Sequence, residues 1–264
     1  MSSAFTTLKG SRLFLVLGGF FIANAIIAEF IGVKIFSLEQ SIGIEPVQWN
    51  VFGYILNMEL TAGVILWPVV FIMTDIINEY FGKKGVRFLS NGAVLLIIYA
   101  FIMVFLAIYL SPANWCGPSQ SSHGIPDMQV AFTAVFGQGL WIIVGSLVAF
   151  LVGQIVDVYV FQKIKEVTGE KKIWLRATGS TLISQLIDSF VVLYIAFGLG
   201  ADWPMSKIIA IGSVNYVYKF TIALALTPLL YWIHYIIDGY LGEELSAQMR
   251  TEAMQQSDKN YKQH

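Results

Sequence analysis

The chain has 264 residues, of which 56% are hydrophobic and only 12% are charged, and its mean hydropathy is +0.69. Soluble domains carry about 25% charged residues, so this composition excludes an ordinary soluble protein. The charges are divided between loops rather than gathered on one face, which argues against a nucleic-acid partner. Long apolar runs without the alternation of barrel strands predict an all-α integral membrane protein in the lipid bilayer.

Six apolar segments follow one another along the chain, and each is close to the roughly 20 residues that a helix needs to cross a bilayer. We therefore predict a six-helix transmembrane domain over residues 1–242. The polar remainder, residues 243–264, is predicted to be a cytoplasmic tail that is frayed or disordered. The approximate spans are Arg12–Ile35, Ala62–Asn78, Val86–Leu110, Val130–Phe161, Ile173–Phe197 and Ile208–Ile237.

The basic residues are distributed unequally between the two sides of these spans. Thirteen of the sixteen lie before the first span, in the loops after the second and fourth spans, or in the tail. Only Lys34 and Lys207 lie on the other side, and Lys219 lies inside the last span. The positive-inside rule therefore predicts a multi-pass protein of the cell inner (cytoplasmic) membrane with both termini in the cytoplasm.

Polar side chains interrupt the apolar segments in pairs that are three or four residues apart, a spacing that places each pair on one helix face. Ionisable groups at membrane depth usually face a bundle interior or an aqueous cavity, so these faces are predicted to line a substrate site. Nearby aromatic rings would suit a planar heterocycle, although most of them are ordinary packing or interfacial residues. The candidate residues are Asp75, Asn78, Gln154, Asp157, Gln185, Asp188, Asn215 and Lys219.

Three of the charged residues have a plainer interpretation. Glu79 and Asp157 could each emerge at the cytoplasmic border as a helix-end charge. Lys219 lies deep in its span, where a charge costs at least about 2.5 kcal/mol on insertion scales. A purely structural ion pair between Lys219 and an aspartate would relieve much of that cost, and the spacing alone leaves this alternative open.

Four motifs carry a resemblance to a known family. They are TDIINEYFGKK (Thr74–Lys84), GQIVDVYVFQKIK (Gly153–Lys165), WLRATGSTLISQLIDS (Trp174–Ser189) and the Asn215/Lys219 pair. In this order the chain resembles the queuosine precursor transporters, also called the vitamin uptake transporter family, from the second span through the sixth.

The resemblance implies a bundle similar to the substrate-binding components of energy-coupling-factor vitamin transporters. It also implies import of 7-deazaguanine precursors of queuosine, such as 7-cyano- or 7-aminomethyl-7-deazaguanine. By matching motif, the implied binding positions are Asp75, Asn78, Gln154, Asp157, Gln185, Asp188 and Lys219. The chain departs from the family at Gly137-Gln138-Gly139, where some members have an arginine and Gln138 is the only polar substitute.

The residue chemistry agrees with such a substrate. A guanine-like edge offers two adjacent donors that one carboxylate can accept together, and its carbonyl suits a glutamine amide or the Lys219 ammonium. No phosphate-binding loop, cofactor motif or metal-ligand spacing is present, so the chain is predicted not to be an enzyme. A vitamin or purine transporter, or a membrane protein without transport activity, remains the alternative, and a homo-oligomer is allowed.

Overall fold

Helices make up most of the computed structural model, which describes residues 7–168 and 173–261. Short 3-10 helices at Ala62–Ile65 and Gly117–His123 lie between the main helices, and a π-helical turn at Tyr194–Leu199 extends α6. The α-helices are α1 (Leu8–Ile31), α2 (Leu38–Ser41), α3 (Trp67–Tyr109), α4 (Met128–Phe136), α5 (Leu140–Thr168), α6 (Ile173–Leu193), α7 (Met205–Ala225), α8 (Thr227–Leu241) and α9 (Glu243–Tyr261).

Five helical stretches of the described chain are long and apolar enough to cross a membrane. They carry large apolar side chains on their outer surfaces, such as Leu15 and Leu95, which are 75% and 67% exposed. This confirms the prediction of an all-α, multi-pass membrane protein. The stretches are Leu8–Ile31, Ala62–Tyr109, Met128–Thr168, Leu175–Leu199 and Met205–Ala225.

Helix α3 folds back on itself at Gly82. The hydroxyls of Thr74 and Ser90 both reach the Oε1 atom of Gln154, at 3.0 and 3.2 Å. On a straight helix these two residues would lie about 24 Å apart, because each residue rises 1.5 Å. The reversal uses Gly82, whose φ of 67° and ψ of −173° are open essentially only to glycine. The second and third predicted spans are therefore the two arms of one helical hairpin.

The predicted fourth and sixth spans are each interrupted, which corrects their boundaries. Between α4 and α5 the helix breaks at residues 137–139, where two glycines flank Gln138. Between α7 and α8 it breaks at Leu226, and Pro228 lies in the first turn of α8. Proline cannot donate a backbone hydrogen bond, so it is tolerated at a helix start and disfavoured inside a continuous helix. Hydropathy alone could not detect either break.

The first predicted outer loop contains a small β-structure. Strand β1 (Ile35–Ser37) pairs antiparallel with β4 (Glu59–Thr61), and β2 (Trp49–Val51) pairs with β3 (Tyr54–Leu56). Glu39 is buried in this segment and stabilises it by accepting a hydrogen bond from the Met58 backbone N–H at 2.8 Å. The hydroxyl of Tyr54 contacts that of Ser206 at 3.0 Å, which ties the β-structure to the start of α7.

The polar tail is ordered where it was predicted to fray. Helix α9 packs against α3, and its Met249 and Ala253 side chains are fully buried. Ser246 donates to the Asp238 carboxylate of α8 at 2.5 Å. These contacts contradict a frayed or disordered tail over this helix, whereas the division into a membrane domain and a tail domain stays a prediction.

Candidate functional site

The polar faces of α3, α5 and α6 meet inside the bundle. Asp75 on α3 accepts hydrogen bonds from the hydroxyls of Ser180 and Thr181 at 3.4 and 3.1 Å. Asp157 on α5 accepts one from Ser184 at 3.1 Å. All five side chains are buried. The two carboxylates thus lie against consecutive turns of the same helix α6, and the helix-end interpretation of Asp157 is wrong.

Several buried polar atoms around these carboxylates have no hydrogen-bond partner within the described chain. The amide nitrogens of Asn78 and Gln154, both amide atoms of Gln185, and Asp157 Oδ2 are all in this position. Two of these side chains are bonded through their amide oxygens. Gln162 donates to Asn78 Oδ1 at 2.7 Å, and Thr74 and Ser90 donate to Gln154 Oε1. Unpaired buried polar groups are rare because each costs about 1–3 kcal/mol. Such a concentration of donors and acceptors is typical of a ligand site.

A narrow pocket opens beside this cluster. It has a volume of about 20 Å³, room for about one water molecule, whereas pockets for small organic ligands measure about 300–1,000 Å³. The break at Leu226 between α7 and α8 forms part of its wall. At this volume the pocket is too small for a bicyclic ligand unless its walls move apart. The lining residues are Pro68, Ile72, Asp75, Ala177, Thr178, Thr181, Gln185, Ala223, Leu226, Thr227 and Leu230.

Asp188 and Lys219 form an ion pair on the α7 side of the cluster. The Lys219 Nζ atom lies 2.5 Å from Asp188 Oδ2, and their side chains are 7% and 14% exposed. Asn215 is half-buried one turn before Lys219 on the same helix. Asp188 and Lys219 therefore form the ion pair that the sequence left open as an alternative. Direct recognition of a ligand by Asp188 would require the pair to open.

A second group of buried charges lies one helical turn from Asp75. The carboxylate of Glu79 binds the Lys165 ammonium at 3.0 Å and the Arg176 guanidinium at 2.6 Å, and all three side chains are at most 1% exposed. Glu79 is therefore not a helix-end charge. Lys165 and Arg176, which the sequence placed with the loop cations, are buried partners of Glu79.

The spacing of Asp75, Asn78 and Glu79 at i, i+3 and i+4 already predicted that Glu79 shares a helix face with the site residues, whereas its two basic partners were missed. Arg176 had a similar signal, because Ser180 follows it by four residues. Arg250 of α9 approaches Glu79 at 3.9 Å and pairs with Asp238 at 2.5 Å. Helix α9 is thereby connected to the Glu79 group.

Polar residues at the far end of the bundle form a separate group. Glu29 and Asn24 of α1 are both buried, and Ser146 lies 2.8 Å from Glu29 Oε2. Gln138, the polar residue at the position of the family's arginine, donates to the Glu29 backbone carbonyl at 3.0 Å. Gln138 thus connects the break before α5 to α1, and this contact does not join it to Asp75 or Asp157.

Comparison with known proteins gives a family and three relatives. The family model described as "Putative vitamin uptake transporter" matches residues 61–233. A "Probable queuosine precursor transporter" of Bacillus subtilis (strain 168) is 30% identical over 67% of this chain and 72% of the relative. Proteins of Haemophilus influenzae and Escherichia coli (strain K12), named "Probable queuosine precursor transporter" and "Queuosine precursor transporter", are 28% and 29% identical. They align with 63% and 64% of this chain and with 64% and 70% of their own lengths. No solved structure matches the chain.

The Glu79 group predicts an unequal cost for two similar substitutions. Glu79→Gln removes the charge that compensates buried Lys165 and Arg176, a change that costs about 3–5 kcal/mol in buried pairs. Glu166→Gln removes the partner of Lys163 in a pair that is 47% and 41% exposed, where the loss should be at most about 1 kcal/mol. Thermal unfolding of the purified variants in detergent measures both, and equal shifts in Tm would show that the Glu79 group does not hold the bundle together.

Proposed function

The chain belongs to the vitamin uptake transporter family, and we propose that it imports 7-deazaguanine precursors of queuosine across the cytoplasmic membrane. The family and the named relatives are transporters, so the chain is a membrane transporter and not an enzyme. The same matches confirm the resemblance seen in the four motifs.

One observation carries the choice of substrate site, namely the set of unpaired donors and acceptors between α3, α5 and α6. Asp157 Oδ2 and Gln185 Oε1 can accept the ring N–H and exocyclic amine of a guanine-like edge. The amide nitrogens of Asn78 and Gln154 can donate to its carbonyl oxygen. Pairing with the substrate would thus satisfy groups that the protein leaves unsatisfied, and a charged carboxylate acceptor strengthens such bonds.

The site requires a movement before it can hold this ligand. The pocket has room for about one water molecule. Its wall contains the helix break at Leu226, where α7 ends and α8 begins. Discontinuous helices also form the substrate sites of other transporters. We infer that α8 swings from Leu226 to admit the heterocycle between α3 and α6.

The membrane topology that fits this site has six spans with both termini in the cytoplasm. The fold-back at Gly82 supports counting α3 as two spans, which raises the five apolar stretches to six. The distribution of basic residues outside the spans supports the orientation, and it is eleven to two once buried Lys165 and Arg176 are left out. A bundle like that of the energy-coupling-factor substrate-binding components is the corresponding proposal for the fold.

A pair of single-cysteine proteins tests this topology, because Cys116 is the chain's one cysteine. In a Cys116→Ser background, Ser119→Cys places a thiol in the second outer loop, and Gln248→Cys places one on α9. Both positions are exposed. A membrane-impermeant maleimide should label Ser119→Cys in intact cells and Gln248→Cys only after the membrane is permeabilised. Labelling of both from one side would contradict six spans.

The substrate is tested in a bacterium that cannot make the 7-deazaguanine precursor and lacks its own importer. Expression of this chain should restore queuosine in tRNA when the precursor is supplied outside. Gln185→Leu should reduce uptake about tenfold or more, because one N–H donor of the ligand is left buried without its acceptor. Gln248→Leu, a matched change on exposed α9, should leave uptake unchanged.

The outcomes of this experiment distinguish a wrong substrate from a wrong binding site. Failure of the wild-type protein to restore queuosine, when it is present in the membrane in normal amount, would direct the search to another heterocycle such as a vitamin or purine. Rescue that is indifferent to Gln185→Leu would instead move the site away from the α6 face.

A further inference from the structure

We propose that Asp75 and Asp157 hold one proton between them and that the incoming heterocycle displaces this proton. The site would then be a proton-binding site as well as a substrate site, which deepens the proposed function and rests on it. The inference follows from the charges around the two carboxyl groups and from the hydrogen bonds of the serines that contact them.

The charges in this part of the bundle do not balance without an added cation. Three acidic groups, Asp75, Glu79 and Asp157, lie on the adjoining faces of α3 and α5. Two basic groups, Lys165 and Arg176, lie beside them, and both pair with Glu79. Their second positive charge can offset one of the two aspartates. One negative charge remains in a region where an uncompensated charge is strongly unfavourable.

No described basic side chain forms an ion pair with Asp75 or Asp157. Their hydrogen bonds come from neutral hydroxyls, and the two carboxyl groups are close enough to interact electrostatically. The other positive charges of the interior already have carboxylate partners. The ionisable groups around the pair are Glu79 on α3, Lys165 on α5, Arg176 and Asp188 on α6, Lys219 on α7, His234 and Asp238 on α8 and Arg250 on α9.

The serine hydroxyls indicate where the proton resides. Ser184 Oγ lies 3.1 Å from Asp157 Oδ1 and also 3.1 Å from the Thr181 carbonyl oxygen. Both neighbours are acceptors if Asp157 is ionised, yet a serine hydroxyl has one proton to donate. When Asp157 is protonated it donates to Ser184, which donates in turn to the carbonyl. Ser180 lies 3.1 Å from the Ala177 carbonyl and 3.4 Å from Asp75, but Asp75 also accepts from Thr181 at 3.1 Å, so the proton is assigned to Asp157.

A proton fits this site better than a sodium ion does. Sodium would need several oxygen atoms turned toward one point, whereas Ser180 and Ser184 each contact one oxygen of a single carboxyl group. A proton needs only the one carboxyl oxygen and an acceptor. The serine oxygens supply that acceptor.

The proton is linked to the substrate because both bind the carboxyl group of Asp157, the proton at Oδ1 and the substrate at Oδ2. A guanine-like edge presents N–H donors, and these bind more strongly to an ionised carboxylate than to a neutral carboxyl group. A protonated carboxyl group offers one acceptor fewer and a competing donor. Binding therefore releases about one proton to the solvent, and acid weakens binding by linkage. The same competition lets a proton and a substrate occupy the site in alternation.

Infrared spectroscopy tests the proton without any substrate. Purified protein at neutral pH should show the carbonyl band of a protonated carboxyl group in a dry environment, shifted in heavy water. Asp157→Asn should remove or displace that band, as should Asp75→Asn. A spectrum of the wild-type protein without a protonated aspartate would overturn the proposal even if both variants fail to fold.

Two control variants assign the band. Glu29 is a buried carboxyl group near Ser146, so Glu29→Gln removes any band of its own and must leave the aspartate band in place. Glu166→Gln removes an exposed carboxylate that is paired with Lys163 and must not change the band. Thermal unfolding in sodium chloride and in choline chloride adds a further control. Stabilisation by sodium alone that is lost in Asp157→Asn would replace the proton by a sodium ion and overturn the proposal.

Calorimetry then tests the exchange with 7-cyano-7-deazaguanine as the probe. Binding enthalpies in two buffers of different ionisation enthalpy should differ by the release of about one proton for each bound molecule. Equal enthalpies would contradict the exchange. Absence of binding together with a clear aspartate band would refute the proposed substrate and leave the proton site standing, so the two failures can be told apart.

Discussion

The carboxylate of Glu79 is the interaction on which the interior of this bundle depends. Its two oxygens bind Lys165 of α5 and Arg176 of α6, so one side chain of α3 fixes three helices at the same level. In a bilayer none of these charges can turn to the lipid, because a charge at membrane depth is costly. The orientation of each helix is thereby set, and with it the direction of every residue on the same faces.

The candidate site lies next to the Glu79 group. Asp75 lies one turn before Glu79 on α3, and Ser180 lies one turn after Arg176 on α6. The hydrogen bond between Ser180 and Asp75 therefore forms where the ion pairs have already placed the helices. On the opposite side, Asp188 and Lys219 join α6 to α7 as a nearly neutral pair. The unpaired amides and carboxylate oxygen lie between these two charged groups. Helix α6 is therefore held from both sides.

One face of α6 can serve both structure and binding because it carries hydroxyl side chains. Its serine and threonine hydroxyls satisfy backbone carbonyls of their own helix and contact carboxyl groups of two other helices. Hydroxyl side chains are small enough to let helices approach closely and polar enough to hold a carboxyl group without adding charge. The α3 hairpin contributes in the same way, since Thr74 and Ser90 hold Gln154 from its two arms.

Much of this arrangement could be predicted from the sequence. The spacing of Gln154 and Asp157, and of Gln185 and Asp188, placed each pair on one face because the helical period fixes it. The partners of Glu79 could not be found in this way, since Lys165 and Arg176 border a basic loop and resemble its solvated cations. The breaks at residues 137–139 and at Leu226 escaped because apolar windows average over glycine and proline. The packing of α9 depends on Met249, Ala253 and Arg250. Their contacts with the bundle could not be predicted from this largely polar segment.

The central claim is that the substrate reaches the polar faces of α3, α5 and α6 through the pocket between α3, α6 and α8. Thr178 lines the pocket there and lies 3.2 Å from Thr227 across the α6–α8 contact. The most direct measurement is the rate at which a thiol reagent modifies Thr178→Cys in a Cys116→Ser background, with and without 7-cyano-7-deazaguanine. The account predicts that the ligand slows this modification while leaving Ser122→Cys, in the exposed outer loop, unaffected. Equal modification of Thr178→Cys at saturating ligand would contradict it.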